Sequence, residues 1–194
     1  MNSEQSVFKL ASFLLGYPDD EFWRDLDKAA TWLSCLEATS ATQNLQNAIT
    51  ALRQSGETAV VHHYISTFDF SESSSLYLTA HEYGDNRARG NALVNLRILL
   101  ASEGYEQADN ELADFLPLLL EFMADCNNEE KTNLLKPRLA KVAVQIHDNL
   151  DENSPYAFIF SAIAAVLPRP EDQQFPDREE ADNEENMPYP LLFQ

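Results

Sequence analysis

The residues best suited to chemistry lie between positions 75 and 97, in the stretch SLYLTAHEYGDNRARGNALVNLR. Three arginines occupy its last eleven positions, although the whole chain carries 13 basic and 32 acidic residues. His81 and Asp85 are four residues apart, the spacing that places two metal ligands on one helical face. The arginines are instead suited to gripping carboxylates through two parallel hydrogen bonds. The stretch therefore predicts a metal site, a binding surface or a polar joint between helices.

A metal site is the weakest of these three interpretations. The sequence HEYGD lacks the second histidine of the H-E-x-x-H motif, and Gly84 is expected to break the helix that would align His81 with Asp85. His62 and His63 are adjacent, so their side chains would point about 100° apart on a helix. The sequence also contains no G-x-S-x-G elbow and no glycine loop of the kind that cradles phosphate. Nucleophilic catalysis and nucleotide binding are therefore disfavoured.

A polar joint accounts for the same residues. Asp85 is expected to cap the following helix, because its carboxylate can accept hydrogen bonds from the free backbone N–H groups. Arg87 or Arg89 is expected to form a bidentate pair with a carboxylate on another helix. Gly90 is expected to let a neighbouring helix approach closely. A functional surface is nearly as well supported, because joints of this kind position loops.

A second informative segment is ELADFLPLLLEFM, residues 111–123, within a helix predicted over 109–125. Its members Glu111, Asp114, Leu118 and Glu121 are spaced by three, four and three residues, so they would share one helical face. The other positions are apolar. The face is either the solvated side of an ordinary amphipathic helix or the acidic rim of an apolar groove that fits a basic peptide.

Apolar residues recur with a helical period along most of the chain, which predicts an all-α fold. The expected helices cover residues 4–15, 20–37 and 41–54, a helix that ends near 68, residues 75–82, a helix that ends at 100, and residues 109–125, 129–150 and 155–167. Asn128 and Ser154 are expected to cap the last two, with Pro155 at the first helical position. Pro117 is expected to kink its helix or to lie in its first turn, and Pro137 to interrupt the next helix.

Residues 168–194 differ in composition from the domain predicted over 1–167. They contain five of the nine prolines, and eight acidic and two basic residues give them a net charge of −6. Such a segment cannot bury enough apolar surface to fold alone, so an acidic, proline-rich tail is predicted. The tail nevertheless ends in the apolar sequence YPLLFQ.

The net charge of −19 argues against nucleic acid as a partner and against docking on anionic lipid. It favours a basic partner. Cys35 and Cys126 lie in apolar helical patterns and are expected to be buried thiols, not a disulfide framework. The N-terminus has no basic leader, and no apolar run approaches the roughly 20 residues that span a bilayer. A cytoplasmic location without membrane insertion is therefore expected.

Two blocks of the sequence carry a family pattern. The first follows F-D-x(5–6)-S-L-Y-L-x-x-H-x-x-G-D-x-R-x-R-G-x-A-L, with Phe68, Asp69, Ser75, Leu76, Tyr77, Leu78, His81, Gly84, Asp85, Arg87, Arg89, Gly90, Ala92 and Leu93 in its places. The second follows E-L-P-D-x-L-P-x-x-L-E-F, with Glu111, Leu112, Asp114, Leu116, Pro117, Leu120, Glu121 and Phe122 in place and Ala113 where proline is usual. With the opening FKLASFLLGYPDDEF, they resemble the NarJ family of nitrate reductase assembly chaperones, in the TorD/DmsD group, over residues 7–125.

The resemblance implies an all-helical, TorD-like chaperone that is not an enzyme. Its partner would be the immature catalytic (alpha) subunit of respiratory nitrate reductase, including the N-terminal segment, a remnant of a twin-arginine signal. The chain would bind no cofactor stably, but would assist insertion of the molybdenum bis-guanine-dinucleotide cofactor into that client. The expected client-binding residues are Tyr77, His81, Asp85, Arg87, Arg89, Glu111, Asp114, Phe115, Leu118 and Glu121.

Two alternatives stay open at this point. One is a sibling chaperone that serves another molybdoenzyme by binding its twin-arginine signal. The other is a small helical metal-dependent hydrolase that uses His62, His81 and Asp85.

Overall fold

The computed structural model of the protein describes residues 1–105 and 111–169, and its described residues are helical apart from turns, loops and one isolated β-bridge. The helices are α1 (Ser3–Leu14), α2 (Asp20–Ser34), α3 (Ser40–Ser55), α4 (Glu57–Tyr64), α5 (Leu78–Tyr83), α6 (Ala88–Ala101), α7 (Leu116–Asp125), α8 (Glu129–Asp148) and α9 (Pro155–Val166). Between α4 and α5 the chain forms a π-helical turn over Ile65–Asp69 and a 3₁₀ turn over Glu72–Ser74. The predicted all-α class is confirmed. The predicted tail, 168–194, lies almost wholly outside the described residues, and the domain boundary at 167 stays a prediction.

Several helices begin where the sequence places a capping side chain. Asn128 Oδ1 accepts bonds from the backbone of Glu130 and Lys131, and Ser154 Oγ accepts one from Tyr156. Pro155 follows at the first helical position, where no amide hydrogen is needed. Both predicted caps are confirmed.

The core forms around α1, α3 and α9. Helix α9 packs against α3, α8 and α1, and α1 also packs along α7. Tyr156, near the start of α9, is fully buried, and its ring lies 4.7 Å from that of Phe68 and 6.0 Å from that of Tyr64. This aromatic cluster holds the π-helical turn against the bundle, and so fixes where the segment after residue 69 leaves the core.

His63 borders the same cluster. Its ring stacks on Tyr156 with centroids 5.3 Å apart, and Nε2 lies 2.9 Å from Ser154 Oγ. Burial lowers the pKa of His63 below its ordinary 6.5, and the charge of Asp151 only partly opposes this. The folded protein therefore binds this proton less readily than the unfolded chain does.

We expect protonation of His63 to lower the stability of the folded protein in mild acid. Below pH 6.5 the unfolded chain takes up a proton on His63 that the folded protein resists, so stability falls as the pH drops towards the lowered pKa. The loss of melting temperature between pH 7.5 and 5.5 should be larger in the parent than in His63→Gln. An identical loss in both proteins would contradict this expectation.

Three sequence predictions about local structure are wrong. The helix expected over 109–125 begins only at Leu116; Pro117 does lie in its first turn, one of the two positions predicted for it, where its missing N–H costs nothing. Helix α8 runs through Pro137 without interruption over its 20 residues. Cys35 is exposed at the end of α2, whereas Cys126 is buried as expected. Among the residues that the structure describes, no helix combines the length and the apolar character that a membrane span requires.

Candidate functional site

The two motif segments meet at an antiparallel bridge between Tyr77 and Phe115. Leu78 N donates to the carbonyl of Asp114 at 2.9 Å, and Leu116 N donates to the carbonyl of Leu76 at 2.8 Å. The rings of Tyr77 and Phe115 lie side by side, with centroids 5.6 Å apart. The bridge thus joins residues 76–78 to residues 114–116, at the points where α5 and α7 begin. We call these two joined segments the bridge unit.

Asp114 is the internal anchor of this unit. Its side chain is fully buried, and Oδ2 accepts bonds from the backbone N of Thr79, at 3.1 Å, and from the Thr79 hydroxyl. Arg89, on α6, donates from Nε to the same hydroxyl at 3.1 Å, and its Nη2 lies 3.8 Å from Asp114 Oδ2. Three segments that bear motif residues are therefore tied together through the Thr79 side chain.

The predicted acidic helical face is therefore wrong. Glu111 and Asp114 precede α7, and Asp114 points into the interior. Glu121 does lie on α7, where it pairs with Lys9 at 2.9 Å. The pairing of Phe115 with Tyr77 demands extended backbone, which is incompatible with a helix through that position.

A bidentate arginine–carboxylate pair does form, but it involves Arg138 and not Arg87 or Arg89. Glu82 on α5 accepts from Nε and Nη2 of Arg138 on α8, both at 2.6 Å. Arg138 is only 8% exposed, and the pair joins the motif helix α5 to the bundle. The sequence signal for Arg138 is its place beside Leu135, Leu139 and Val142 on the apolar stripe of α8. Arg89 makes the looser contacts described above, and Arg87 is exposed.

The expected roles of Asp85 and Gly90 are also wrong. Helix α6 begins at Ala88, whose N–H is bound by Asn86 Oδ1 at 2.8 Å, so Asp85 lies too far upstream to cap it. Among the described residues, no atom of a neighbouring helix lies within 4 Å of the place where Gly90 would carry a Cβ, so the close helix approach expected there does not occur. The break at Gly84 is real: its φ of 56° is a left-handed conformation that favours glycine, and it ends α5.

Within the part of the chain that the structure describes, the histidines do not belong to a metal-binding cluster. His81 Nε2 lies 2.7 Å from the carbonyl of Ser75, and His62 is exposed on α4. Within residues 1–105 and 111–169, no three His, Cys, Asp or Glu side chains are grouped so as to hold a metal ion. The set His62, His81 and Asp85 required by the hydrolase alternative is therefore not assembled there.

An apolar surface with acidic neighbours surrounds the bridge. Phe70, next to Asp69 in the chain, is 83% exposed, and Leu112, whose carbonyl accepts from Phe115 N, is 43% exposed, while the rings of Tyr77 and Phe115 are half-buried. Burial raises the pKa of Tyr77, and the negative charges of Glu111, Asp114 and Asp69 raise it further. The charges of Asp69 and Glu111 thus act on the Tyr77 hydroxyl. We call Asp69, Phe70, Tyr77, Glu111, Leu112 and Phe115 the Tyr77–Phe115 surface; sequence reasoning missed Phe70, Leu112 and Asp69 as members.

The remaining predicted site residues have other environments. Leu118 is half-buried against the core on α7, and Asp85 and Arg87 are exposed in the turn before α6. Asp114, Arg89 and His81 hold backbone or side chains of the surrounding segments in place.

Comparison with known families places this surface in context. The family model described as nitrate reductase delta subunit matches residues 35–160, which include the bridge, its anchor and the Glu82–Arg138 pair. The chain belongs to the nitrate reductase delta subunit family. The resemblance found in the sequence is thereby confirmed.

Individual relatives agree with this assignment. A Bacillus subtilis protein named as a nitrate reductase molybdenum cofactor assembly chaperone, NarJ, is 29% identical over 164 residues, covering 84% of this chain and 89% of the relative. The Escherichia coli chaperone of the same name is 28% identical over 165 residues, covering 79% of this chain and 66% of the relative. The crystal structure of an Archaeoglobus fulgidus protein described as a redox enzyme maturation protein matches with a TM-score of 0.65 and 20% identity, over 85% of this chain and 94% of that one. That likeness shows the fold.

Proposed function

We propose that this delta-subunit family member is the assembly chaperone of a respiratory nitrate reductase and is not itself an enzyme. It binds the immature catalytic subunit and keeps it open while the molybdenum bis-guanine-dinucleotide cofactor is inserted. The observation that carries the proposal is the family match over residues 35–160, together with relatives named for this role. The cytoplasm is the compartment in which this work takes place.

We propose further that the Tyr77–Phe115 surface receives the N-terminal segment of the client. The exposed Phe70 and Leu112 and the half-buried rings offer an apolar floor, and Asp69 and Glu111 lie beside it. An apolar floor with acidic neighbours is complementary to a basic amphipathic peptide. In this assignment the contribution of Asp114 and Arg89 is indirect: they hold in place the bridge that carries the aromatic rings.

Client binding is expected to depend on salt. The Debye length shrinks from about 10 Å at 0.1 M to about 3 Å at 1 M ionic strength, which weakens contacts between exposed charges. Affinity for a basic peptide from the catalytic subunit's N-terminus, measured by calorimetry, should fall across that range. The double variant Asp69→Asn/Glu111→Gln, which neutralises both acidic members of the Tyr77–Phe115 surface, should weaken binding by about threefold or more at low salt and should flatten the salt response.

A control variant with two other carboxylates neutralised distinguishes local charge contacts from an effect of the overall net charge. Glu37→Gln/Glu152→Gln removes the same two charges from exposed positions in other loops. It should leave both the affinity and the salt response close to those of the parent. Equal effects from the two double variants would show that the overall charge, not this surface, attracts the peptide.

Reconstitution tests the function itself. The nitrate reductase catalytic subunit is produced with and without this chain in a host that lacks its own chaperones of this family. Molybdenum content and nitrate reduction by the purified subunit should both rise when the chain is present. The variant Phe70→Ser/Leu112→Ser, which changes only exposed side chains, should lose much of this effect. Equal molybdenum content with and without the chain would refute the proposal.

A further inference from the structure

The outer face of α6 is unlike the rest of this acidic protein. Every exposed residue of the helix and its N-cap lies within an arc of about 120°, if each residue advances 100°. The face consists of Arg87, Gly90, Asn91, Val94, Arg97, Ile98 and Ala101. Val94 is 57% exposed and Ile98 is 43% exposed, one helical turn apart.

This face is also basic. From Arg87 to Ala101 the sequence contains three arginines and no acidic residue, in a chain whose net charge is −19. Arg89 turns inward to Thr79, whereas Arg87 and Arg97 are exposed on either side of Val94. Helix α6 packs mainly against α5 through its opposite face, so this one is without a substantial partner among the described residues.

We propose that residues 170–194 of the same chain dock on the outer face of α6. This segment contains eight acidic residues and one arginine, and it ends in the sequence PYPLLFQ. Its carboxylates are complementary to Arg87 and Arg97, and its terminal leucines and phenylalanine to Val94 and Ile98. Residues 170–194 therefore combine negative charges and apolar side chains that both complement this face, and they are already tethered to the domain.

Residues 170–194 are long enough to reach the outer face of α6 wherever the chain leaves the domain. The 25 residues span up to about 80 Å when extended, whereas a folded domain of this size has a radius of gyration of about 15 Å. Tethering also raises the effective concentration to the millimolar range for short linkers. A contact too weak to hold separate molecules together is then enough to cover this face, which otherwise exposes apolar side chains to self-association.

Paramagnetic relaxation in the full-length protein tests the proposal. A nitroxide is attached at Gln194→Cys in a Cys35→Ser background, since Cys126 is buried. Amide signals of residues 91, 94, 98 and 101 should broaden several-fold more than those on the exposed side of α2. Either Arg97→Glu or Val94→Ser/Ile98→Ser should abolish the excess. Arg24→Glu, which reverses an exposed arginine on α2, should leave it unchanged.

Three results would overturn the proposal. One is broadening that is spread evenly over the surface, and another is broadening that concentrates away from α6. The third comes from a mixture in which nitroxide-labelled protein carries no isotope and isotope-labelled protein carries no nitroxide. If α6 broadens equally in that mixture, the segment docks on a second copy and not on its own chain. The proposal is independent of client binding, so its failure would leave the chaperone function untouched.

Discussion

Glu82→Ala is expected to lower the free energy of unfolding by about 3–5 kcal/mol, because it leaves a buried guanidinium without its carboxylate. Arg138 is 8% exposed, and Glu82 accepts short hydrogen bonds from its Nε and Nη2. Water cannot take over fully as the partner at such a position. The loss should appear as a lower midpoint of urea-induced unfolding with an unchanged slope.

Two controls test the cause of that loss. Replacing both partners, as Glu82→Leu/Arg138→Leu, removes the stranded charge and should recover much of the stability. Arg24→Ala breaks an exposed pair with Glu21, at 4.0 Å, and should change stability by less than about 0.5 kcal/mol. If the double leucine variant is as unstable as Glu82→Ala, the ion pair is not the source of the effect.

Much of the helical fold could be predicted because it is encoded locally. The stripes of α1, α3 and α9 repeat every three to four residues, and the caps Asn128 and Ser154 act on amides two or three positions away. The segment 111–115 could not be predicted in this way. It turns at Ala113 and Asp114 and pairs at Phe115 with residues 76–78, far away in sequence, whereas its own pattern is that of the first turn of a helix.

The restriction of sequence patterns to local structure also explains which parts of the candidate site could be predicted. The motif blocks identified both segments and the family, but they did not distinguish a buried carboxylate from an exposed one. Asp114 belongs to a helical face only if α7 starts before Glu111, and the bridge at Phe115 prevents that. The partner of Glu82 was missed because Arg138 lies 56 residues further along the chain. Exposed apolar positions such as Phe70 become visible only once the core is known.

Asp114→Ala is expected to lower both stability and client affinity. Thr79 is fully buried, and removal of the carboxylate leaves its amide and hydroxyl without their acceptor. Each buried donor stranded in this way costs about 1–3 kcal/mol, so a loss of about 3 kcal/mol in the free energy of unfolding is expected. Because the carboxylate also fixes the segment that presents Phe115, the Tyr77–Phe115 surface should lose its rigid geometry.

The effect on the surface can be separated from the effect on stability. Leu45→Ala, at a fully buried position on α3, should cost about 2–5 kcal/mol through a cavity on a helix that makes no substantial contact with α5 or α7 among the described residues. Both variants are studied well below their melting temperatures, with the N-terminal peptide of the catalytic subunit as ligand in calorimetry. Leu45→Ala should bind it like the parent, Asp114→Ala more weakly, and Asp114→Asn in between, since its amide oxygen can still accept from Thr79 N. If Asp114→Ala and Leu45→Ala bind the peptide equally well, the bridge contributes to folding alone and the client contacts another part of the protein.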